Sequence, residues 1–159
     1  MLHTLKVNLV VFKCICKKCF YEFESYNLSE FVYGARIIYT KDRKYSALIN
    51  FLEDDTYEQV KDILSEYIKK KNFSTKTKIE YFRKVLGLVC DPINGIELDT
   101  SSKIYCPNCL SIEIDRYDTN PRRFIEKEIP LVTHERWDKL NANEKRELLF
   151  TAFKKLEKQ

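Results

Sequence analysis

Two pairs of cysteines are the residues of this chain with the clearest capacity for chemistry. Cys16 and Cys19 are separated by two residues, and so are Cys106 and Cys109. Two cysteines at this spacing can present both thiolates to one ion from a single tight turn, and zinc favours four such ligands in a tetrahedron. The two pairs therefore predict one zinc ion. Because four thiolates leave no open coordination position, the predicted zinc is structural rather than catalytic.

The cysteines also admit other interpretations. They can be reduced or redox-active without binding a metal, and in an exported protein the six cysteines could form three disulfides. Cys14 is an alternative to Cys16 as a ligand, although the two-residue spacing favours Cys16. Cys90 continues the apolar stripe of a predicted helix, where cysteine commonly serves as a small buried residue. Two pairs, each flanked by strand-like sequence, make zinc the favoured interpretation.

The segments around the two pairs resemble a known metal fold. The sequences CKKCFYEF (16–23) and CPNCLS (106–111) look like the two knuckles of a zinc ribbon, a small rubredoxin-like family. The resemblance extends only to the surroundings of the cysteines. It implies that the structural ligands are Cys16, Cys19, Cys106 and Cys109.

The chain departs from the zinc-ribbon pattern in two ways. The family usually has glycine after each second cysteine, where a left-handed backbone is common, whereas this chain has Phe20 and Leu110. We therefore expect distorted turns. In addition, 86 residues (20–105) separate the knuckles, although ribbons are usually compact. Loop-closure cost rises by only about 0.6 kcal/mol per doubling of length, so the separation does not argue against one shared ion.

The patterns on either side of the cysteines indicate an α+β fold with an antiparallel sheet. Residues 1–26 and 100–132 are expected to form the zinc ribbon and its sheet. Residues 27–99 are interpreted as an insertion that contains a hairpin and two helices, and 133–159 as a C-terminal helical segment. The three glycines and four prolines are spread along the chain, so we treat 1–159 as a single domain.

Local signals predict where the helices and strands begin and end. A strand is expected to run into Cys106, and Asn94-Gly95 is typical of a tight turn. Helices are expected to begin at polar residues whose side chains accept backbone N–H groups. The candidate caps are Asp55 with Glu58, Ser74, Thr133, and Asn141 with Glu144.

A basic segment is the main candidate for nucleic-acid binding. Residues 69–84 contain seven basic residues and one acid, although the whole chain has a net charge of only +4. Such a surface could contact phosphates, and lysines beside the first knuckle could extend it. The simpler interpretation, which we favour, is a solvated helix end. The candidate residues are Lys17, Lys18, Lys69, Lys70, Lys71, Lys76 and Lys78.

No motif in the sequence predicts an enzyme. The only histidines, His3 and His134, have no neighbouring nucleophile pattern, and structural or surface roles are expected for both. The chain has no phosphate-binding glycine loop, no nucleophile elbow and no zinc-protease helix. Asp54 with Asp55 is better explained by helix capping than by a carboxylate pair. We therefore expect a non-catalytic protein.

These observations together predict a cytoplasmic binding protein. The N-terminal segment lacks the continuous apolar core of a signal peptide, and no stretch is long enough to span a membrane, so no membrane partner is expected. The favoured partner is another protein, as for an inhibitor or immunity protein, and the alternative partner is nucleic acid bound by residues 69–84.

Overall fold

A computed structural model describes residues 3–30, 32–101 and 103–159 of the chain. Within these ranges it confirms the α+β fold and shows that the antiparallel strands form two separate sheets. None of the described helices has the length and apolar character to cross a membrane. The strands are β1 (Thr4–Cys16), β2 (Glu22–Leu28), β3 (Ala35–Thr40), β4 (Ser46–Asn50), β5 (Leu98–Asp99), β6 (Ile114–Asp118) and β7 (Phe124–Pro130), and the helices are α1 (Asp55–Ile68), α2 (Thr75–Val89), α3 (Glu135–Asp138) and α4 (Ala142–Glu157).

The long strand β1 organises the four-stranded sheet. On one side it pairs along its second half with β2. On its other side, β7 pairs with the first half of β1 and β6 pairs with the last residues, up to Cys16. Leu9 and Val11 of β1 are buried and point to the same face, as period-two alternation requires. The cysteine end of β1 is thus held between β2 and β6.

The three-stranded sheet and three helices enclose the main hydrophobic core. Strand β3 lies between β4 and β5, and α1, α2 and α4 pack against one another next to this sheet. The apolar face of each helix packs against this core, so the buried residues recur with the helical period. The largest buried side chains of this core are Trp137, Tyr57, Phe153, Leu86, Leu98 and Leu149.

The two sheets are joined where β4 meets the end of β7. Leu48 forms a parallel bridge with Leu131, and the backbone N–H of Val132 donates to the Leu48 carbonyl at 3.0 Å. The strand predicted to run into Cys106 is wrong, because residues 103–105 are irregular and the nearest strand is the short β5. The predicted turn at Asn94-Gly95 is confirmed, with φ values of 50° and 77° and reciprocal backbone hydrogen bonds between Ile93 and Ile96.

Helix capping follows the sequence prediction for two of the four helices. Ser74 caps α2, and Asn141 caps α4 in a complete capping box with Glu144. At α1 the predicted cap is wrong by one residue, because Asp54 rather than Asp55 accepts the backbone N–H of Thr56.

The predicted cap of the short helix α3 is also wrong. The Thr133 hydroxyl does not accept a backbone N–H but donates to the carboxylate of Asp91 at 2.7 Å. Asp91 lies just after α2, and its two oxygens accept the backbone N–H groups of Glu135 and Arg136. The first turn of α3 is therefore capped by a residue distant in sequence, which a local pattern cannot identify.

Candidate metal centre

The structure brings the two cysteine pairs together at one end of the four-stranded sheet. The first knuckle is the turn between β1 and β2, and the second knuckle is the turn that leads into β6. Cys16 lies opposite Ile114 in the β1–β6 register, and the backbone N–H of Lys17 donates to the Glu113 carbonyl at 2.9 Å. This pairing joins the first knuckle to the segment that follows the second knuckle. It therefore brings together two cysteine pairs that are far apart in the sequence.

The four sulfur atoms have the spacing of a tetrahedral metal cage. Cys16 Sγ lies 3.6 Å from Cys109 Sγ, and Cys19 Sγ lies 3.5 Å from Cys106 Sγ. All four atoms are within 4.8 Å of one another. Zinc bound to four thiolates at about 2.3 Å requires sulfur atoms about 3.8 Å apart, and a disulfide would need about 2.05 Å. The residues present therefore fit a tetrathiolate metal ion and do not form disulfides.

The two knuckles have the same backbone geometry. The N–H of Phe20 donates to the Cys16 carbonyl at 2.9 Å, and the N–H of Leu110 donates to the Cys106 carbonyl at 2.8 Å. Phe20 and Leu110 have φ values of 61° and 60°. Both residues therefore adopt the left-handed conformation that glycine usually supplies, and the expected distortion of the turns is absent. For a residue with a Cβ atom this conformation costs roughly 1–2 kcal/mol. Each turn is therefore strained, and other interactions of the folded chain must offset that cost.

Hydrogen bonds to sulfur prepare the knuckles for thiolates. The side-chain amide of Asn108 in the second knuckle donates to Cys19 Sγ in the first knuckle at 3.5 Å. This bond, followed by a bond from the backbone N–H of Tyr21, lowers the pKa of Cys19 to about 6. Burial alone would raise the pKa of Cys16, but bonds from the backbone N–H groups of Cys19 and Lys18 lower it.

The thiol of Cys109 is the one in the cluster whose pKa is raised. The backbone N–H of Ser111 favours the thiolate of Cys109, but burial and the three neighbouring sulfur atoms outweigh it and raise the pKa of Cys109 to about 12. Several negative charges within a few ångströms repel one another unless a cation lies among them. The cluster can therefore ionise fully at neutral pH only around a positive ion, as expected for a metal site.

The remaining two cysteines lie outside this cluster. Cys14 is buried in β1, and its thiol donates to the Ser25 hydroxyl at 3.3 Å. Cys90 lies at the end of α2, and its thiol donates to the Leu86 carbonyl at 3.2 Å. The open question of Cys14 against Cys16 is thus answered by position, since Cys16 is the one grouped with the other three thiols.

The candidate lysines lie in two different parts of the fold. Lys17 forms an ion pair with Asp115 at 3.1 Å beside the first knuckle. Residues 69–78 instead form the connection from α1 to α2 and the first turn of α2. Both helices pack on α4, and α2 also contacts β5. Within that segment Lys71 pairs with Glu157 at 2.5 Å and lies over the Tyr67 ring. Of the candidate lysines, five are exposed and form no ion pair with a described residue, namely Lys18, Lys69, Lys70, Lys76 and Lys78.

A buried histidine joins the ends of the helices far from the metal site. His134 Nε2 lies 2.5 Å from a carboxylate oxygen of Asp54, and Nδ1 lies 2.7 Å from the Val89 carbonyl. Both partners are acceptors, so both ring nitrogens donate and the ring is an imidazolium. Burial alone would lower the pKa of His134, but the bond to Asp54 and further bonds to Cys90 and Val89 raise it to about 10. No local pattern predicts this ion pair, because Asp54 and His134 are 80 residues apart.

Apolar side chains project into solvent around the metal site. Phe20 is 76% exposed and Leu110 is 55% exposed, because the left-handed backbone turns each side chain outward. Tyr21 and Ile112, which follow the two knuckles, are also exposed. We call these four residues the knuckle face. In the sequence, Phe20 and Leu110 stand out only as departures from glycine, and no pattern there predicts an exposed surface.

Comparison of the chain with protein-family models, with curated proteins and with solved structures finds no match.

Proposed function

We propose that the chain binds one structural zinc ion through Cys16, Cys19, Cys106 and Cys109. The observation that carries the proposal is the four-sulfur cluster, with sulfur atoms at tetrahedral spacing and bonds that favour thiolates. A closed set of four thiolates suits zinc and leaves no coordination position for a substrate. The ion supplies charge compensation and crosslinking, while the residues of the knuckles orient the thiolates. Six unpaired cysteines also fit a reducing compartment such as the cytoplasm.

Metal content tests this proposal. Protein purified from a zinc-supplemented host should contain about one zinc per chain, as measured by elemental analysis against protein concentration. Cys106→Ser should lose the metal, whereas Cys14→Ser should keep it, since Cys14 lies outside the cluster. Equal zinc content in both variants, or wild-type protein that takes up no zinc, would contradict the proposal.

We further propose that the chain is a non-catalytic protein that binds another protein through the knuckle face. Solvated apolar side chains are common singly, but four of them around one rigid site are typical of a contact surface. Phe20 and Leu110 support this role because their strained backbone places large apolar groups in water. Neither side chain contributes to the hydrophobic core, so the fold itself does not account for their size.

Affinity capture tests the role of the knuckle face. Full-length protein carrying Phe20→Ser and Leu110→Ser should keep its zinc but lose a partner that the wild type recovers from source-cell lysate. The matched control is Phe124→Ser, an exposed apolar residue outside the knuckle face that pairs with Val10 in the middle of β1. Recovery of the same partner by the knuckle variant, or its loss with Phe124→Ser, would contradict the proposed surface.

Repeating the affinity capture after nuclease treatment distinguishes this function from nucleic-acid binding. Capture that disappears after nuclease treatment and weakens on charge reversal of Lys70 and Lys78 would favour the alternative function. Affinity for nucleic acid would then fall steeply as salt increases, because bound phosphates release counterions. Capture that resists nuclease and these substitutions would support the protein partner.

A further inference from the structure

A large cavity lies between the two sheets, apart from the knuckle face. Its volume is about 920 Å³, and its walls come from β2, β3, the middle of α2 and residues 103–107. Ligand pockets for small molecules commonly have volumes of roughly 300–1,000 Å³. The cavity is therefore large enough for a small organic molecule.

The described lining of this cavity is positively charged. It contains five cationic and three acidic residues. Two of the three acids already form ion pairs. Asp99 pairs with Arg43, and Glu24 pairs at 2.8 Å with Arg123, which lies outside the lining. The cationic residues of the lining are Arg36, Arg43, Arg83, Lys103 and Arg116.

Three of these cations have no ion-pair partner in the described part of the chain. No described carboxylate lies within 4.0 Å of the charged groups of Arg83, Lys103 and Arg116. They come from three separate segments, namely α2, the approach to the second knuckle and β6. Arg116 is oriented by the ring of Phe12, with its guanidinium carbon 3.7 Å from the ring centroid. Cations that converge on one cavity from separate elements favour an anionic occupant.

Arg43 adds a buried donor to the lining. Its guanidinium donates to Asp99 and stacks on the Tyr105 ring at 4.0 Å. The side chain is only 10% exposed, and its Nε has no hydrogen-bond partner in the described residues. A buried N–H without an acceptor is unfavourable and uncommon in folded proteins. Because this N–H is closed to solvent, it would act on a bound anion through the positive potential of the guanidinium and not by direct contact.

Aromatic side chains form much of the remaining wall. Burial, followed by the neighbouring phenol of Tyr26, raises the pKa of Tyr39 to about 12, so Tyr39 remains protonated and can donate a hydrogen bond. Phe23 and Phe82 contribute further rings to the lining. Such rings favour planar, unsaturated ligands.

We propose that the inter-sheet cavity binds a nucleotide, with its phosphate near the arginines and its base among the aromatic rings. Guanidinium groups form paired, charge-assisted hydrogen bonds with phosphate oxygens. The rings would stack on the base, and the Tyr39 hydroxyl would offer one donor. This site is independent of the proposed protein contact, because the two use different residues.

Titration calorimetry with the purified full-length chain tests the nucleotide site. The probes are the ribonucleoside 5′-mono- and diphosphates, the matching nucleosides and inorganic phosphate. At least one nucleotide should bind more tightly than its nucleoside or phosphate alone. Arg83→Gln and Arg116→Gln should each weaken that binding about tenfold, as expected for one charge-assisted bond. Arg122→Gln, an exposed arginine outside the lining, should leave the affinity unchanged.

Several results would overturn the inference. Absence of binding by every nucleotide, or equal binding of inorganic phosphate, would remove the proposed ligand. An equal loss with Arg122→Gln would show that only overall charge matters. Tighter binding of a single-stranded oligonucleotide, by tenfold or more, would assign the cavity to a nucleic-acid surface instead. Urea unfolding of each variant, measured in parallel, shows whether the fold is intact.

Discussion

The region around the three-stranded sheet and the region around the knuckles achieve stability in different ways. Seventeen buried residues form one hydrophobic cluster between β3, β4 and the helices. Outside that cluster the described residues contain only seven further buried apolar residues, all in or next to the four-stranded sheet. Three of the seven are cysteines, and two of those three, Cys16 and Cys106, belong to the four-sulfur cluster.

This difference indicates where the fold depends on a metal. A small sheet that buries few apolar groups gains little from the hydrophobic effect and needs another source of stability. A structural zinc ion contributes about 10–16 kcal/mol of apparent binding free energy in small peptides. We call the four-stranded sheet with its two knuckles the knuckle region, and the three-stranded sheet with its helices the helical region. We expect the knuckle region to need zinc in order to fold and the helical region to stay folded without it.

The largest expected effect is the loss of one proposed ligand. Cys106→Ser should open the knuckles, because the strained turns at Phe20 and Leu110 would lose the ion that holds them. Limited trypsin digestion should then cleave rapidly at Lys17 and Lys18. The Cys14→Ser protein should resist cleavage like the wild type. Slow cleavage of both variants would show that the knuckles do not need a metal.

A substitution at a helix glycine tests the packing of the helical region. A Cβ atom on Gly87 of α2 would lie 2.4 Å from the carbonyl oxygen of Leu98 in β5. Helix propensity alone would favour alanine by about 1 kcal/mol, but the clash with backbone should reverse the sign. We expect Gly87→Ala to destabilise the protein by about 2 kcal/mol, as measured by urea unfolding. A gain in stability would contradict the close packing of α2 on β5.

The ion pair of His134 predicts a pH dependence in the helical region. The pKa of His134 is about 10 in the folded chain and near its usual 6.5 when unfolded, so the folded state binds the proton more tightly. The stabilisation is complete below about pH 6.5 and declines as pH rises toward 10. Urea unfolding between pH 6 and 9 should show this decline in the wild type.

The two histidines of the chain provide the matched comparison. His134→Gln should lower the stability at pH 6 and flatten its dependence on pH, because the buried charge of Asp54 loses its partner. His3→Gln should behave like the wild type, since His3 is exposed. An unchanged pH profile in His134→Gln would contradict the imidazolium assignment.

The smallest expected effect concerns the strained turns themselves. Phe20→Gly should stabilise the knuckle region by about 0.5–1 kcal/mol, because glycine adopts a positive φ without a Cβ clash and the lost ring is exposed. Phe20→Ala is the control, since it removes the ring but keeps the Cβ atom. Resistance to a zinc chelator should increase only for the glycine variant, and an equal increase for alanine would attribute the effect to the ring.

Features of the fold that depend on neighbouring residues could be predicted from the sequence. The α+β class, the cap residues Ser74 and Asn141, and the turn at Asn94-Gly95 follow from neighbouring residues, and the structure confirms them. The grouping of the four cysteines was also predicted, because two pairs at two-residue spacing, each flanked by strand-like sequence, are typical of one shared metal ion.

The remaining features depend on contacts between distant residues. Asp91 caps α3 from the end of α2, and Asp54 meets His134 across 80 residues, so neither contact leaves a local signal. The third strand of the smaller sheet, β5, has only two residues and is too short to show a period. The inter-sheet cavity likewise collects cations from separate elements and has no motif in the sequence.

Hydrogen exchange with and without a zinc chelator tests the central claim most directly. After removal of the metal, the backbone amides of β1 near Cys16, of β2 and of β6 should lose protection. Those of α1, α2 and α4 should keep it, because their core lies in a separate hydrophobic cluster. Uniform protection before and after chelation would contradict a zinc-dependent knuckle region, and a uniform loss would contradict a self-sufficient helical region.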